Sequence, residues 1–257
     1  MALTLWEAVL LGALQGILEW LPVSSSGQLS LLLSTLLGLP SGEAYRLGIA
    51  SHLGTALSGA IAVREPVRNA LHLGPWLRVM LVPLVAGAPV ALAIDKLISG
   101  IPGDLLNLLI GVLLLATAAT LLKTAGAGGG RSATSLTTRE LVLIGVLQGL
   151  AALPGLSRSA TTIAGLLLLH LDPYEAVKAS IAMGTAATGA MALYELAQGV
   201  GQPLMVVVSV MVTSLLTGLA SAMFMLGLAQ KYRKQIIIFI IIISILAIAS
   251  ALPALTK

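Results

Sequence analysis

The chain has no cysteine. Disulfides and thiolate metal sites are therefore excluded, and redox compartment is not readable from that absence. Charge is scarce as well. Asp, Glu, Lys and Arg make up 9% of the 257 residues, against about 25% in soluble domains. An ordinary soluble domain is excluded by that shortage. No set of His, Asp and Glu has metal-ligand spacing, and neither a G-x-S-x-G elbow nor a P-loop occurs. The amino end, Met1 to Glu7, lacks a basic stretch, so no cleavable signal is expected.

What the chain does have is apolar length. Hydrophobic residues reach 58% and the mean hydropathy is +1.03, which describes a polytopic membrane protein. The pI near 9.6 does not imply nucleic acid. The basic residues sit in short loops beside apolar spans, where positive charge sets topology.

Two stretches repeat each other. Gly12-Ala-Leu-Gln15-Gly16 runs through Glu19-Trp20-Leu-Pro22 into Ser24-Ser25-Ser26. Gly145-Val-Leu-Gln148-Gly149 runs through Leu153-Pro154-Gly155 into Ser157-Arg158-Ser159. A second matched pair follows in the same order: Gly54-Thr55-Ala-Leu-Ser58-Gly59 against Gly184-Thr185-Ala-Ala-Thr188-Gly189. The chain therefore reads as one membrane domain built from two copies of a unit. Repeat one covers 1–124, a Gly-rich linker 125–138, and repeat two 139–257.

Apolar segments lie near 5–20, 28–38, 47–63, 77–100 and 104–123, then 140–153, 159–171, 178–198, 204–228 and 235–252. A spanning helix needs roughly 20 residues. The first two segments of each half are too short, and each short pair is joined by the Pro/Ser turn. Each pair is expected to form a re-entrant hairpin, with broken backbone tolerated because protein or a wet cavity buries it. Three crossings per half remain. Three is odd, so the second copy is inverted and the hairpins enter from opposite faces. The expected fold is all-α: two inverted repeats, each a re-entrant helical hairpin plus three transmembrane helices. Such interfaces hold binding sites in membrane proteins. The loops at 64–78, 123–139, 172–178 and 229–234 carry most of the Lys and Arg, while the other side has Arg46, Lys96 and Lys257. The positive-inside rule makes the first side cytoplasmic. The termini and the mouth of the first hairpin then face outward, in a cell (inner) membrane.

Glu19 is an ionisable group at membrane depth, which is costly and by default functional. Its alternative is a structural carboxylate at a helix end. Gln15 lies four residues earlier on the same helix face. Ser24, Ser25 and Ser26 open one helix, and Ser157 and Ser159 bracket Arg158 at the start of another. Helix amino ends attract anions, and Arg158 adds a planar fork for phosphate oxygens. The plainer alternative is that these serines only cap helices. Gln28 is a ligand or a partner of a neighbouring helix. His52 is a site or packing residue. Thr162 reaches the anion or bonds its own preceding turn. The glycine stripes at 54–59 and 184–189 are expected to pack helices.

The run Leu14-Gln15-Gly16-Ile-Leu-Glu19-Trp20-Leu-Pro22-Val-Ser24-Ser25-Ser26-Gly27, with Leu153-Pro154-Gly155-Leu-Ser157-Arg158-Ser159-Ala-Thr-Thr162, resembles the undecaprenyl-diphosphate phosphatase family, the bacitracin-resistance membrane phosphatases. His52-Leu-Gly-Thr55 fits too, and the resemblance covers essentially the whole chain. It implies hydrolysis of the C55 isoprenyl diphosphate to the monophosphate, recycling the lipid carrier of cell-wall synthesis. The family's E/Q-x-x-x-E motif falls on Gln15 and Glu19, its serine-rich turn on Ser24 to Ser26, and its P-G-x-S-R-S motif on Pro154 to Ser159. There are two departures. Position 15 is Gln, leaving one carboxylate where many members have two. Position 28 is Gln where many members have His, so chemistry routed through that His cannot operate here.

The implied roles are Arg158 and the helix ends on phosphate oxygens, and Glu19 as general base or as ligand of a divalent ion, Mg or Ca, on the diphosphate. Ser25 is the nucleophile, with water as its rival. Ser24, Ser26, Gln28, Ser157, Ser159 and Thr162 are expected around the phosphate, and Gln15 and His52 in support. Expected partners are the polyprenyl diphosphate, the bilayer and a second copy in a homodimer; nucleic acid is not expected. A flippase or transporter of the same architecture is the rival reading, and a phosphatase for another prenyl chain length is a third.

Overall fold

Helix boundaries in this chain follow caps and prolines more than hydrophobicity. The computed structural model describes residues 3–25, 28–29, 51–98, 101, 103–124, 126–198 and 202–231, with 238 and 242. The segments expected at 28–38 and 235–252 lie almost wholly outside these residues. The rest fold as α1 (Leu5–Trp20), α2 (His52–Ala62), α3 (Arg64–Leu71), α4 (Pro75–Ile98), α5 (Gly103–Thr124), α6 (Thr138–Leu150), α7 (Arg158–Leu168), α8 (Pro173–Gln198) and α9 (Leu204–Lys231). Among the described residues there is no strand, only an isolated bridge between Arg131 and Leu171.

Helices α1 and α6 begin with the same device. Thr4 and Thr137 each accept from the backbone N–H of the residue three on, at 3.3 Å, while Glu7 and Glu140 accept from the capping residues' own N–H at 2.8 and 2.7 Å. These are capping boxes, and they satisfy orphan donors that hydrocarbon would leave bare. With 16, 13 and 11 residues, α1, α6 and α7 fall short of the roughly 20 needed to span. Three described helices are long and apolar enough to cross a membrane: Pro75–Ile98, Pro173–Tyr194 and Leu204–Ala229.

Two segments differ from expectation. The loop after α2 is not a simple loop, because Arg64–Leu71 forms the short helix α3 with Arg64 and Arg68 outward and Pro66 and Ala70 buried. The Gly-rich connector is not free either. Its Gly129 and Arg131 N–H groups bond Leu171 and His170 carbonyls at 2.8 and 3.1 Å, Ala133 and Leu136 are fully buried, and Arg131 holds Glu140 at 2.8 Å.

Packing crosses between the two sequence halves. Helix α1 lies on α9, α6 lies on α4, and α2 fits between α8 and α9 while α8 also touches α4. Hydrophobic burial offers little drive between helices in lipid, so close backbone contact and hydrogen bonds must hold them. Both contacts use small residues. A Cβ on Gly16 would strike Thr217, Ser214 and Gly218 of α9, and one on Gly149 would strike the backbone oxygen of Gly87 of α4. Ser221 of α9 adds a bond to the Ile17 carbonyl at 2.8 Å. The two interfaces fix where the carboxyl ends of α1 and α6 meet.

Candidate active site

Those two ends carry the Pro/Ser turns, and the turns touch. Leu21 is extended, as the residue before Pro22 must be, and Ser24 takes a left-handed φ of 59°. A non-glycine residue there is strained by about 1–3 kcal/mol and needs outside support. The support crosses the chain: Gly155 N–H donates to Ser24 Oγ at 3.1 Å, and Ser159 Oγ donates to the Leu21 carbonyl at 2.8 Å. Thr117 of α5 clamps the second turn, donating to the Gly155 carbonyl at 3.1 Å and accepting from Ser157 N–H at 3.0 Å.

Glu19, in the last turn of α1, sits where the turns meet and is 5% exposed. Its Oε1 accepts from Arg158 Nη2 at 2.6 Å. Its Oε2 accepts from Ser25 Oγ and from Gln15 Nε2, each at 2.8 Å, and lies 3.1 Å from His52 Nδ1. Gln15 Nε2 is also 2.7 Å from His52 Nδ1. Residues from α1, its following turn, α2 and α7 thus converge on one carboxylate.

Arg158 opens α7 and is not an isolated cation. Besides Glu19 it donates from Nη1 to the Ser180 carbonyl at 3.2 Å, and its guanidinium carbon lies 5.3 Å from the centre of the Trp20 ring. Trp20 is fixed in turn by its Nε1 bond to Ser58 Oγ at 3.0 Å. Glu19 pairs with it across 139 residues of sequence.

These groups line a cavity of about 260 Å³. Glu19, Ser25, His52 and Arg158 bring charge and hydroxyl to it, the serines of both turns and Gln148 add polar groups, and mainly apolar residues of α4, α8 and the segment after α6 line the rest. Leu92 of α4 and Tyr194 of α8 belong to the lining and are each 46% exposed. The cavity therefore reaches the protein surface between α4 and α8. Charged and apolar groups thus share one cavity.

Residues 8–249 match the family described as Bacitracin resistance protein BacA. The chain belongs to that family. Among its relatives are proteins named undecaprenyl-diphosphatase. The one from Methanopyrus kandleri is 37% identical over 223 residues, 82% of each chain. The one from Korarchaeum cryptofilum is 32% identical over 266 residues, 96% of this chain and 98% of that protein. The one from Saccharolobus solfataricus is 30% identical over 268 residues, 95% and 94%.

Set in this BacA-family chain, the expected site residues divide. Gln15, Glu19, Ser25, His52 and Arg158 form the single contact network just described. Ser24 lines the cavity and also ties the turns. Ser157 and Ser159 line it as well, their hydroxyls 3.1 Å apart; Ser157 caps α7 by accepting from Ala160 N–H at 3.2 Å. Ser26 lies outside the described residues. Gln28 turns back to donate to the Val23 carbonyl at 2.8 Å. Thr162 donates to the Arg158 carbonyl at 2.8 Å, the local bond of the plainer alternative, and meets Ser180 Oγ of α8 at 2.6 Å. Sequence reasoning passes over Thr117, Ser180 and Trp20, which position Arg158 and its turn. It also passes over Gln148, buried on the cavity wall with an unpartnered Oε1. The repeat signals that one, since Gln148 is the counterpart of Gln15.

A resident divalent ion does not fit this donor set. No group of three or more His, Asp or Glu that could hold an ion occurs among the described residues. Both oxygens of Glu19 already accept hydrogen bonds. A hard cation wants several oxygen ligands, and here only the diphosphate would bring them.

Proposed function

We propose that this chain is a membrane phosphatase that hydrolyses undecaprenyl diphosphate to the monophosphate and inorganic phosphate. One observation carries the reading: Glu19 accepts the Ser25 hydroxyl on one oxygen and the Arg158 guanidinium on the other, at the end of a cavity that runs apolar to the surface. A nucleophile, a base and a phosphate-charge partner are the parts that phosphoryl transfer requires. Ser25 Oγ attacks the terminal phosphorus as its proton passes to Glu19, and the polyprenyl monophosphate leaves with the bridging electron pair. Arg158 keeps its bond to Glu19 and offers its spare donors to the phosphate oxygens; its bonds to Glu19 and Ser180 use two of five guanidinium N–H donors. Water then displaces the serine oxygen from phosphorus. The prenyl chain lies along the small residues of α4 and α8 and leaves between Leu92 and Tyr194. A pure flippase has no use for a serine bonded to a buried carboxylate.

The finer architecture belongs to the same proposal. Helix α1 packs on α9 as its counterpart α6 packs on α4, α2 packs on α9 as α8 packs on α4, and α2 meets α8. This exchange of partners is what two inverted copies around a pseudo-two-fold axis produce. The lengths of α1, α6 and α7 support re-entrant hairpins. The orientation keeps the basic loops in the cytoplasm and the head-group end of the cavity open outward.

Two experiments test these readings. The purified chain in detergent is expected to release phosphate from a short-chain prenyl diphosphate; a pure transporter releases none. A parallel reaction with EDTA shows whether a cation on the diphosphate is part of the substrate. With a terminal phosphorus made chiral by oxygen isotopes and sulfur, two displacements through phosphoserine give retention. Inversion rules out Ser25 as nucleophile. Orientation is tested with single cysteines, in a chain that has none. Gly130 is exposed and has open space around it, and Leu204 is 76% exposed. Gly130→Cys is expected to escape an impermeant thiol reagent added outside intact cells, and Leu204→Cys to react. The opposite pattern reverses the orientation.

A further inference from the structure

We infer that His52 stores the proton that Glu19 receives, so that Ser25, Glu19 and His52 form one proton-transfer line. This rests on the phosphatase reading above. Ser25 Oγ and His52 Nδ1 both face the same carboxylate oxygen, at 2.8 and 3.1 Å, and His52 is 8% exposed. Gln15 decides which form the ring takes. Its Nε2 is 2.8 Å from Glu19 Oε2 and 2.7 Å from His52 Nδ1, and a carboxamide nitrogen only donates. Turning that amide over would set an amide oxygen against the carboxylate oxygen, two acceptors with no proton between them. With the nitrogen inward, Nδ1 accepts from Gln15, the ring proton sits on Nε2, and a neutral imidazole stands beside Glu19.

The energetic reason lies in Arg158. A proton left on Glu19 would remove the partner of a buried guanidinium, which is strongly unfavourable. Moving it from Oε2 to Nδ1, as the Gln15 amide turns its N–H off that nitrogen, restores the carboxylate, keeps the ion pair, and leaves the imidazolium beside an anion. When water later attacks the phosphoserine phosphorus, the proton returns through Glu19 to the departing serine oxygen. Both protons of that water leave on the released phosphate. Among the described residues, the charged and titratable groups around the ring are Glu19 of α1, Arg158 of α7 beyond it, and Tyr194 of α8 on the same cavity. Helix α9, packed on α2, carries no titratable residue from Leu204 to Gln230.

His52→Asn puts an amide oxygen where Nδ1 stands and accepts from Gln15, but does not ionise. Its expected effect is a kcat about 10²–10³-fold lower, with KM within about threefold of wild type and an unchanged melting temperature. The acidic limb of log kcat against pH, measured from about pH 5 to 9, is expected to vanish. Wild-type kcat with the acidic limb intact overturns the inference. A second measurement leaves His52 in place. The chain has three histidines, so His72→Gln with His170→Gln isolates the His52 ring for nitrogen-15 NMR. The substrate-free protein is expected to show Nδ1 bare and Nε2 protonated; a proton on Nδ1 overturns the inference. A wild-type chain that releases no phosphate sinks the phosphatase reading, whereas an active chain indifferent to His52→Asn sinks only the role of His52.

Discussion

Glu19→Gln is expected to lower kcat by about 10³-fold or more and to melt at a lower temperature than wild type. The first effect follows from chemistry. General base catalysis contributes about 10²–10⁴-fold, and an amide cannot take the Ser25 proton. The second follows from geometry. Glu19 is half of a buried ion pair 2.6 Å long. Removing one partner of such a pair costs about 3–5 kcal/mol, because the other charge is left without compensation. The amide also has one oxygen where the carboxylate has two. Either Arg158 or the Ser25–Gln15 group must face an amide nitrogen. Stability and catalysis separate in the double variant Glu19→Gln/Arg158→Met. Replacing both charges is expected to recover the melting temperature without any activity. Phosphate release near the wild-type rate from Glu19→Gln would make the carboxylate purely structural.

The elements around Glu19 were legible where the backbone itself must respond to the residue. Pro22 ends α1 and forces Leu21 extended, so the end of the 5–20 segment falls within a residue of the observed Trp20. Ser157 before Arg158 marks the start of α7 in the same way. Helix α3 was not legible, because Arg64, Glu65 and Arg68 give it the composition of a loop. The site divides along similar lines. Glu19 and Arg158 stand out because charge in an apolar chain needs a reason. That they pair with each other does not stand out, since each alone already suits a phosphate. Trp20 and Thr117 carry no signal, being ordinary residues of apolar helices until the second hairpin arrives beside them. Gly184 is the instructive case. Its stripe reads as helix packing, yet what occupies the space is the Arg158 guanidinium.

Arg158→Lys is expected to lose about 10²–10³-fold in kcat although the charge is kept, the loss typical of removing one well-placed transition-state donor. The guanidinium makes three contacts: Glu19 through Nη2, the Ser180 carbonyl through Nη1, and the Trp20 ring over which its carbon lies. A lysine head is a single point and cannot keep that geometry while also meeting phosphate oxygens. It can still pair with Glu19, so the lysine variant is expected to fold and to melt near wild type, unlike Glu19→Gln. Gly184→Ala supplies the control in which Arg158 is untouched. A Cβ there would overlap Nη1, so the guanidinium must leave its place. The alanine variant is expected to reproduce the kcat loss of Arg158→Lys, and adding Arg158→Lys to it is expected to cost little more, because both changes remove one interaction. Full multiplication of the two losses would separate Gly184 from Arg158. Near-normal turnover in Arg158→Lys alone would remove the fork from the phosphate role and leave Arg158 as the structural counter-ion of Glu19.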